Sequence, residues 1–242
     1  MRYAVISDVH SNYEALKAVL DYLKSNPVDT IVCLGDITGY GASPRECIAE
    51  IRAQKNMVCL AGDHDLAACG NGAEHLSREA KMALEINKGM LLKEDTDYLA
   101  SLKSSYHGDS ELFVHASPRD NVNEYLFLVE KFQENMRFFK ERICFIGHTH
   151  QPLLYEWAEP GKSGFYQTGE IFNLDADKRY IINVGSVGQP RDNNPMACLY
   201  FYDSKHLTVS VKRLPYNVQA SQDKMSKAGI PPQLVMRLAM GV

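Results

Sequence analysis

The stretch Met57-Val58-Cys59-Leu60-Ala61-Gly62-Asp63-His64-Asp65 joins a short apolar run to three ionisable side chains. Ligands of α/β proteins bind at the carboxyl ends of strands, so this order predicts a polar site where a strand ends. Four other segments repeat an apolar run followed by Asp or His: Val5–His10, Ile31–Asp36, Leu112–His115 and Ile143–His150. The chain is therefore predicted to bring five strand ends to one polar site.

The composition is that of a globular protein that binds a small substrate. The 242 residues are 45% hydrophobic and 23% charged, which is typical of a domain with a substantial core. The net charge of −4, from 26 basic and 30 acidic residues, argues against a stable nucleic acid complex and against an anionic membrane, because both favour basic surfaces. Nothing in the sequence indicates the oligomeric state.

The expected compartment is the cytoplasm. The apolar run Tyr3–Ile6 is too short for a secretion signal, and no run approaches the roughly 18 apolar residues of a membrane span. The six cysteines show no CxxC spacing, so we interpret them as reduced core residues. A disulfide pair is the less favoured alternative.

Alternating strands and helices are predicted in the first part of the chain. A buried strand over residues 3–8 is followed by a helix whose capping box is Ser11-Asn12-Tyr13-Glu14. Thr30–Leu34 completes a βαβ unit, for which a parallel pair is the default. Ser43-Pro44 begins the next helix, and the strand Met57–Leu60 follows it. Parallel pairing places the ends of these strands at one edge of a sheet.

The rest of the chain is predicted to hold further helices and a β-rich region. The helices lie between Glu74 and Ser105, with a break near Lys93–Thr96, and over Tyr125–Lys140, Asn217–Ala228 and Pro231–Met240. The strands lie at Glu111–Val114, Ile143–Ile146, Leu153–Glu156, Gly164–Asn173, Arg179–Val184, Ala197–Tyr202 and Leu207–Arg213. Because the last five strands follow one another without helices, they predict a largely antiparallel second sheet. No linker divides the chain, so residues 1–242 are predicted to form a single domain.

Aspartate and histidine at these strand ends are ligands for transition metals. In Asp8-x-His10 and His148-x-His150 both side chains point to one face of an extended segment. Two metals about 3.5–4 Å apart clamp both oxygens of an in-line displacement, and such closeness needs a bridging carboxylate. Each motif alone is more often an ordinary surface pair, but five of the eight histidines fall at predicted strand ends, which favours one metal site. The others, His75, His107 and His206, are interpreted as residues without a role in the site.

As a set, these motifs resemble the signature of the calcineurin-like metallophosphoesterases. The set in chain order is Asp8-x-His10, Gly35-Asp36, Gly62-Asp63-His64-Asp65, His115 and Gly147-His148-Thr149-His150. The segment Asn183–Asp192 resembles the glycine-serine loop of the family's small bacterial and archaeal phosphodiesterase branch. The resemblance covers essentially the whole chain. It implies an α/β fold, a four-layer αββα sandwich with two mainly mixed β-sheets flanked by helices.

The resemblance also implies a dinuclear centre with Asp36 as the bridge. One metal would be held by Asp8, His10, Asp36 and His150, and the other by Asp36, Asp63, His115 and His148. His64 would protonate the leaving oxygen or stabilise its charge, with a carboxylate orienting its ring. Two divalent or mixed-valence ions of Mn, Fe, Zn or Ni would supply a bridging hydroxide at neutral pH.

One position departs from the family pattern. The family usually has Gly-Asn-His where this chain has Gly62-Asp63-His64, and a carboxylate lacks the NH2 donor of the amide. With three ionised aspartates, two divalent metals and one hydroxide give a neutral centre, whereas Asn would leave one positive charge. Two hypotheses follow: an enzyme with reduced phosphate affinity or a shifted metal preference, or a metal site that turns over poorly.

Substrate contacts are less clearly indicated. Arg119 and Arg191 each follow a Pro and precede an Asp, and either guanidinium group can bind a phosphate. Local pairing with Asp120 or Asp192 is an equally good interpretation. Tyr40 lies beside a ligand-bearing turn and is a candidate pocket residue.

The leading hypothesis is a metal-dependent phosphoesterase that hydrolyses phosphodiester or phosphomonoester bonds of a small substrate. The alternatives are a dinucleoside-polyphosphate hydrolase and a catalytically weak metal-binding scaffold on the same fold. The presence of His64 favours the enzyme over the scaffold.

Overall fold

Two β-sheets stacked face to face form the centre of the protein. The computed structural model describes residues 1–157, 164–166 and 171–242, and these residues form two six-stranded sheets and eight α-helices. Helices cover the outer faces of both sheets. The predicted four-layer αββα sandwich is therefore confirmed.

Twelve strands occur in the described part of the chain. In chain order they are Arg2–Ile6 (β1), Thr30–Cys33 (β2), Met57–Cys59 (β3), Ser105–His107 (β4), Glu111–Val114 (β5), Ile143–Ile146 (β6), Leu153–Trp157 (β7), Gly164–Tyr166 (β8), Phe172–Asn173 (β9), Arg179–Asn183 (β10), Ala197–Asp203 (β11) and Thr208–Leu214 (β12). Residues 167–170 of the predicted strand Gly164–Asn173 lie outside the described residues.

The strand order places six carboxyl ends along one edge of the sandwich. The first sheet runs β3-β2-β1-β11-β12-β9 and the second β4-β5-β6-β10-β7-β8. β1, β2 and β3 are mutually parallel, and so are β5, β6 and β10. The remaining neighbours pair antiparallel. Loops that follow the six parallel strands are the ones that build the site described below.

The eight helices are amphipathic segments laid on the sheets or on one another. They are Tyr13–Ser25 (α1), Pro44–Ala53 (α2), Asp63–Ala68 (α3), Arg78–Met90 (α4), Lys93–Ala100 (α5), Val129–Asn135 (α6), Val218–Lys227 (α7) and Pro232–Met240 (α8). In α1 the apolar residues recur every three to four positions, and this periodicity buries Leu16, Val19, Leu20 and Leu23 on one face. Among the described residues, no helix combines the length and the apolar character needed to cross a bilayer.

The core between the two sheets is rich in aromatic side chains. Tyr3 of β1 lies 5.5 Å from Phe113 of β5, measured between ring centroids, and Phe113 stacks on Phe145 of β6 at 5.1 Å. Tyr202 of β11 contacts Phe145 from the opposite sheet at 5.4 Å. Such rings bury large apolar areas, so this layer fixes the position of one sheet relative to the other. It thereby also fixes the relative positions of the loops at their shared edge.

Where the last five predicted strands pair with one another they are antiparallel, as expected, but the prediction that they form one second sheet is wrong. β10 is a central strand that pairs parallel with β6 and antiparallel with β7, and β11 and β12 belong to the first sheet. The alternation of apolar and polar residues defines a strand but not its partner. The side-chain amide of Asn183 donates to the carbonyl of Gly147 at 2.6 Å, which ties the end of β10 to the end of β6.

The two helices expected between Glu74 and Ser105 are present as α4 and α5, but helix boundaries in the middle of the chain differ from the prediction. The break expected near Lys93–Thr96 lies just before Lys93, because Asp95 accepts a hydrogen bond from the backbone N–H of Leu92 at 2.9 Å and caps α5. The helix expected over Tyr125–Lys140 is only α6. The residues before α6 form a loop that packs against the site.

The residue that caps α1 also differs from the expectation. Asn12, not Ser11, is the N-cap, and its Oδ1 accepts from the N–H of Ala15 at 3.2 Å. Ser11 Oγ instead donates to Asn87 Oδ1 of α4 at 2.6 Å. The polar residues before α1 thus link separate elements as well as beginning the helix.

Candidate metal centre

The seven predicted metal ligands meet at the carboxyl ends of the parallel strands. Asp8 and His10 follow β1, Asp36 follows β2, Asp63 begins α3 after β3, His115 follows β5, and His148 and His150 follow β6. All seven side chains are buried. Five segments that are far apart in the chain thereby contribute to one polar cluster.

The ligand atoms fall into two groups that agree with the two sets implied by the family resemblance. Within each group the candidate atoms lie within 4.8 Å of one another. The two groups are Asp8, His10 and His150, and Asp36, Asp63, His115 and His148; a third group, His10, Asp36 and His64, overlaps both. Each group has the nitrogen and oxygen donors that first-row transition metals prefer.

Asp36 lies between the two groups. Its Oδ2 is 3.5 Å from His10 Nε2 on one side and 3.5 Å from His115 Nε2 on the other. Its Oδ1 accepts a hydrogen bond from the backbone N–H of His64 at 2.9 Å, which fixes the orientation of the carboxylate. One oxygen is therefore held by the backbone and the other faces both groups.

Histidine nitrogens face one another within each group. His10 Nε2 lies 3.0 Å from His150 Nε2, and His115 Nε2 lies 3.1 Å from His148 Nδ1. The second nitrogens of His10, His148 and His150 lie on backbone carbonyls at 2.9, 3.3 and 2.6 Å, so they carry the N–H. The facing nitrogens of His10 and His150 are then both lone pairs, which repel one another unless a cation lies between them. The donor set therefore fits metal ions.

The carboxylates of the cluster also indicate that it binds metal ions. Asp8 Oδ2 accepts from the N–H of His148 at 3.0 Å, while its buried Oδ1 has no hydrogen-bond partner among the described residues. Burial, and then the carboxylates of Asp63 and Asp8, raise the pKa of Asp36 well above its usual range. Burial also acts to raise the pKa of Asp63, but the neighbouring imidazoles of His115 and His148 lower it overall. Crowded, desolvated carboxylates are what bound cations would stabilise.

The backbone around the ligands adopts conformations that few side chains tolerate. Five ligand residues have positive φ: Asp8 (55°), His10 (48°), Asp36 (55°), His148 (65°) and His150 (60°). Left-handed backbone at non-glycine residues is uncommon and concentrates at functional sites. At Gly62 the reason for glycine is space, because an added Cβ would collide with the carboxylate of Asp36.

His64 lies beside both groups. Its ring is 4.9 Å from the ring of His10 and 4.6 Å from the ring of Tyr40. One of its nitrogens also lies within 4.8 Å of ligand atoms of His10 and Asp36. Burial lowers the pKa of His64 to about 4, which favours the neutral imidazole.

The expectation that a carboxylate orients His64 is wrong. Its buried Nδ1 has no hydrogen-bond partner in the described part of the chain, and a Cβ added at Gly39 would collide with this nitrogen. The backbone of Gly39 and the Tyr40 ring hold the imidazole by contact instead.

Asp65 is a structural residue of the site to which sequence reasoning assigned no role. Its buried carboxylate accepts from the N–H groups of Ile37, Thr38 and Gly62 at 3.2, 3.0 and 3.2 Å. It also accepts from the hydroxyl of Thr38 at 3.1 Å. Asp65 thereby joins the turn that carries Asp36 to the helix that carries Asp63 and His64.

The two arginines predicted to bind substrate have different surroundings. The guanidinium group of Arg119 forms ion pairs with Glu124 and Glu134, so its donors are committed to carboxylates and nothing supports a phosphate contact. Arg191 lies at the site, with its Cζ 5.5 Å from the centroid of Tyr40. Its neighbour Asp192 pairs with Arg213.

A second arginine near Tyr40 comes from the last helix. The Cζ of Arg237 lies 5.0 Å from the centroid of the same ring. No motif in the sequence marks this position, because Arg237 belongs to an ordinary amphipathic helix in the tail. Only the packing of α8 brings it to the site.

The three remaining histidines lie on the surface. His107 contacts Glu141 at 2.7 Å, His206 contacts Asp203 at 2.8 Å and His75 lies 3.7 Å from Glu74. Their imidazoles are more than half exposed. The structure therefore places none of the three in the cluster.

A four-layer sandwich with paired Asp/His groups at its strand ends defines the class of metallophosphoesterases. Comparison with known proteins agrees, since residues 1–205 match the sequence model of the calcineurin-like phosphoesterase superfamily domain. The chain belongs to this superfamily. It is therefore a metal-dependent phosphoesterase by family, fold and donor set.

Relatives cover the whole chain. A crystal structure of a metallophosphoesterase from Sphaerobacter thermophilus is 37% identical and superimposes with a TM-score of 0.88, covering 100% of both chains. An uncharacterised protein of Methanocaldococcus jannaschii is 36% identical over 244 residues, which cover 98% of this chain and 97% of the relative. A hypothetical protein of Pyrococcus horikoshii shares the fold at 19% identity, with a TM-score of 0.81 and coverage of 100% and 98%.

Proposed function

We propose that the protein hydrolyses small phosphodiesters at a centre of two transition-metal ions. The observation that carries this proposal is the position of Asp36, whose Oδ2 lies equally far from a histidine of each ligand group. Phosphomonoesters are the second candidate substrate, because both ester types present the same phosphate oxygens to such a centre. Mn, Fe, Zn and Ni all suit the mixed imidazole and carboxylate donors.

The protein's contribution to such a reaction is positioning. One ion would be held by Asp8, His10 and His150, and the other would be held by Asp63, His115 and His148. Asp36 would bind both ions. When bound, two ions activate a water molecule at neutral pH and neutralise charge on the phosphate. Hydrogen bonds from histidines to backbone carbonyls keep the facing nitrogens deprotonated and aimed at the ions.

His64 would act on the leaving oxygen. A neutral imidazole still has one N–H to donate, and the buried position beside Asp36 and His10 strengthens a hydrogen bond to a developing charge. The role requires no protonated histidine, which agrees with the low pKa that burial imposes on His64.

The test is metal-dependent hydrolysis of an artificial phosphodiester by the purified protein. Activity should be lost on chelation and return with Mn, Fe, Zn or Ni, and metal analysis should find two ions per chain. Absence of hydrolysis across a panel of mono- and diesters, with metal still bound, would support the scaffold alternative.

His64→Ala separates catalysis from metal binding. We expect kcat to fall by about 10²–10⁴-fold while the metal content stays at the wild-type value. His206→Ala is the matched control, because His206 is exposed and paired with Asp203, and it should leave kcat unchanged. If His64→Ala loses metal in proportion to activity, His64 is a ligand and the assigned role is wrong.

A further inference from the structure

Two guanidinium groups flank one aromatic ring at the edge of the metal cluster. Arg191 and Arg237 lie 5.5 and 5.0 Å from the centroid of Tyr40. The Tyr40 ring is in turn 4.6 Å from the rings of both His10 and His64. The two positive charges therefore border the Asp8, His10 and His150 group.

The two arginines share one neutral acceptor, the side-chain carbonyl of Gln189. Arg191 Nη2 donates to Gln189 Oε1 at 2.9 Å, and Arg237 Nη2 donates to the same oxygen. The Nε atoms of both arginines are buried and have no hydrogen-bond partner among the described residues. Burial, and then the charge of Arg191, lower the pKa of Arg237. Arg237 nevertheless stays cationic at neutral pH, because arginine is effectively always protonated in proteins.

No carboxylate compensates this pair. Within residues 1–157, 164–166 and 171–242, neither arginine has an Asp or Glu oxygen within the ion-pair distance of 4.0 Å. Other arginines of the chain are satisfied differently: Arg119 by two glutamates and Arg213 by Asp192. Two adjacent, partly buried cations without a carboxylate partner favour an anionic ligand.

We infer that Arg191 and Arg237 bind a second phosphate of the substrate, next to the phosphoester that the metal centre cleaves. This inference rests on the proposed function and narrows it. The substrate class is a phosphodiester in which one of the two esterified alcohols carries a further phosphate group. Arginine forks match phosphate oxygens in pairs, and the side-chain carbonyl of Gln189 holds both forks in place.

The contacts that attach α8 to the rest of the protein do not require an arginine at position 237. Leu234 and Leu238 of the same helix are buried in an apolar cluster with Met225 of α7. The carbonyl of Gly241 accepts from the N–H of Asn193 at 2.8 Å, so α8 is already tied to the loop of Arg191. A guanidinium group beside another cation opposes this docking. Helix α8 also lies beyond residues 1–205 that match the superfamily model, which is a suitable place for a determinant of substrate choice.

The test compares two 4-nitrophenyl phosphodiesters that differ only by a phosphate on the second alcohol, 4-nitrophenyl ethyl phosphate and its 2-phosphoethyl counterpart. For wild type we expect a KM about tenfold lower for the phosphorylated diester. Arg237→Gln should remove that advantage, so that the KM values of the two diesters agree within about twofold. Arg237→Lys retains the charge but not the planar guanidinium group. The KM ratio of the two diesters for this variant should lie between the ratios for wild type and Arg237→Gln.

Arg119→Gln is the matched control for the loss of a guanidinium group. It removes a partly exposed arginine that is paired with glutamates, so it should leave the preference unchanged. Arg191→Gln and the double variant complete a double-mutant cycle. If both arginines bind one phosphate, the effect of the double variant on the KM of the phosphorylated diester should differ from the sum of the two single effects, expressed as free energies. Equal effects of Arg237→Gln on both diesters, or no effect on either, would overturn the inference.

Binding without turnover separates this inference from the proposed function. Methyl ethyl phosphate and its 2-phospho derivative have poor leaving groups, and calorimetry with the metal-loaded protein measures their affinities. Tighter binding of the phosphorylated ligand that Arg237→Gln removes supports the arginine site, whether or not the nitrophenyl esters are hydrolysed. Equal affinity of wild type for the two ligands contradicts it even if both nitrophenyl diesters are turned over.

Discussion

Asp63 meets two imidazoles at one oxygen. Its Oδ1 lies 3.2 Å from His115 Nε2 and 3.1 Å from His148 Nδ1, so the carboxylate fits the second ligand group as the amide of the usual Asn would. The difference between the two residues is therefore one negative charge rather than a change of geometry. The charge works against an anionic substrate.

Replacing Asp63 with Asn tests that charge. We expect Asp63→Asn to lower the KM for a simple phosphodiester about tenfold, since one unit charge a few ångströms from a phosphate is worth more than 1 kcal/mol even after partial screening. The measurement is steady-state kinetics on wild type and variant, with metal content determined for both. Rates and KM values that agree within error would show that the charge is unimportant.

At the scale of elements, the parallel pairing of β10 has the largest consequence for function. Because β10 runs parallel to β6, the loop after it emerges at the same edge as the metal ligands. Its residues bond directly to the Asp8 turn: the N–H of Gly188 and the hydroxyl of Ser186 both donate to the carbonyl of Asp8, at 2.9 and 2.8 Å. An antiparallel β10 would put Gln189 and Arg191 at the opposite end of the sheet.

Helix α3 and the turn after β2 are joined through Asp65. Asp65→Ala would leave the buried N–H groups of Ile37, Thr38 and Gly62 without their acceptor. We expect the free energy of unfolding to fall by about 3 kcal/mol, and metal affinity to fall because Asp36 and Asp63 would no longer be held together. Urea denaturation and metal titration measure the two effects.

The control for Asp65 is Asp97→Ala on the exposed side of α5. Asp97 pairs with Lys93 at 2.6 Å in a solvent-exposed i,i+4 arrangement, and such pairs contribute little. The free energy of unfolding of this variant should lie within about 0.5 kcal/mol of wild type. A comparable loss in both variants would show that Asp65 has no special role.

For the whole molecule, the metal centre links the two sheets. The first ligand group draws on the ends of β1 and β6, and the second on the ends of β2, β3, β5 and β6, so each bound ion would bridge the sandwich. Ions that bind only the folded chain stabilise it by mass action, by about 4 kcal/mol at a thousandfold excess over Kd. Metal loading should therefore raise Tm by roughly 10 °C for a chain of this length.

Scanning calorimetry of chelated and metal-loaded protein measures this shift. Asp36→Asn should reduce it most among single ligand variants, because Asp36 lies between both groups, whereas His206→Ala should keep it in full. A Tm that does not respond to saturating Mn, Fe, Zn or Ni would mean that the cluster does not bind these metals.

Local patterns in the sequence carried most of the architecture and the ligand set. Apolar runs with a following Asp or His predicted β1, β2, β3, β5 and β6 to within two residues at each end. The motifs together indicated one metal site, and their resemblance to the calcineurin-like family implied the two ligand sets that the structure brings together. These features are local, because strand character and a turn at its end depend on neighbouring residues.

Only the tertiary structure decided which distant elements meet. The partner of β10, the carboxylate of Asp65 between two turns and the arrival of Arg237 beside Arg191 all depend on contacts across long stretches of chain, such as the 48 positions from Gln189 to Arg237. Hydrophobic residues that recur every two positions in a strand, or every 3.6 positions in a helix, show which face of the element is buried. They do not show which other element packs on that face. The sequence by itself therefore determined that metal ligands gather at one edge of the strands. The packing of β10 and α8 determined which other side chains, Arg191 and Arg237, lie next to those ligands.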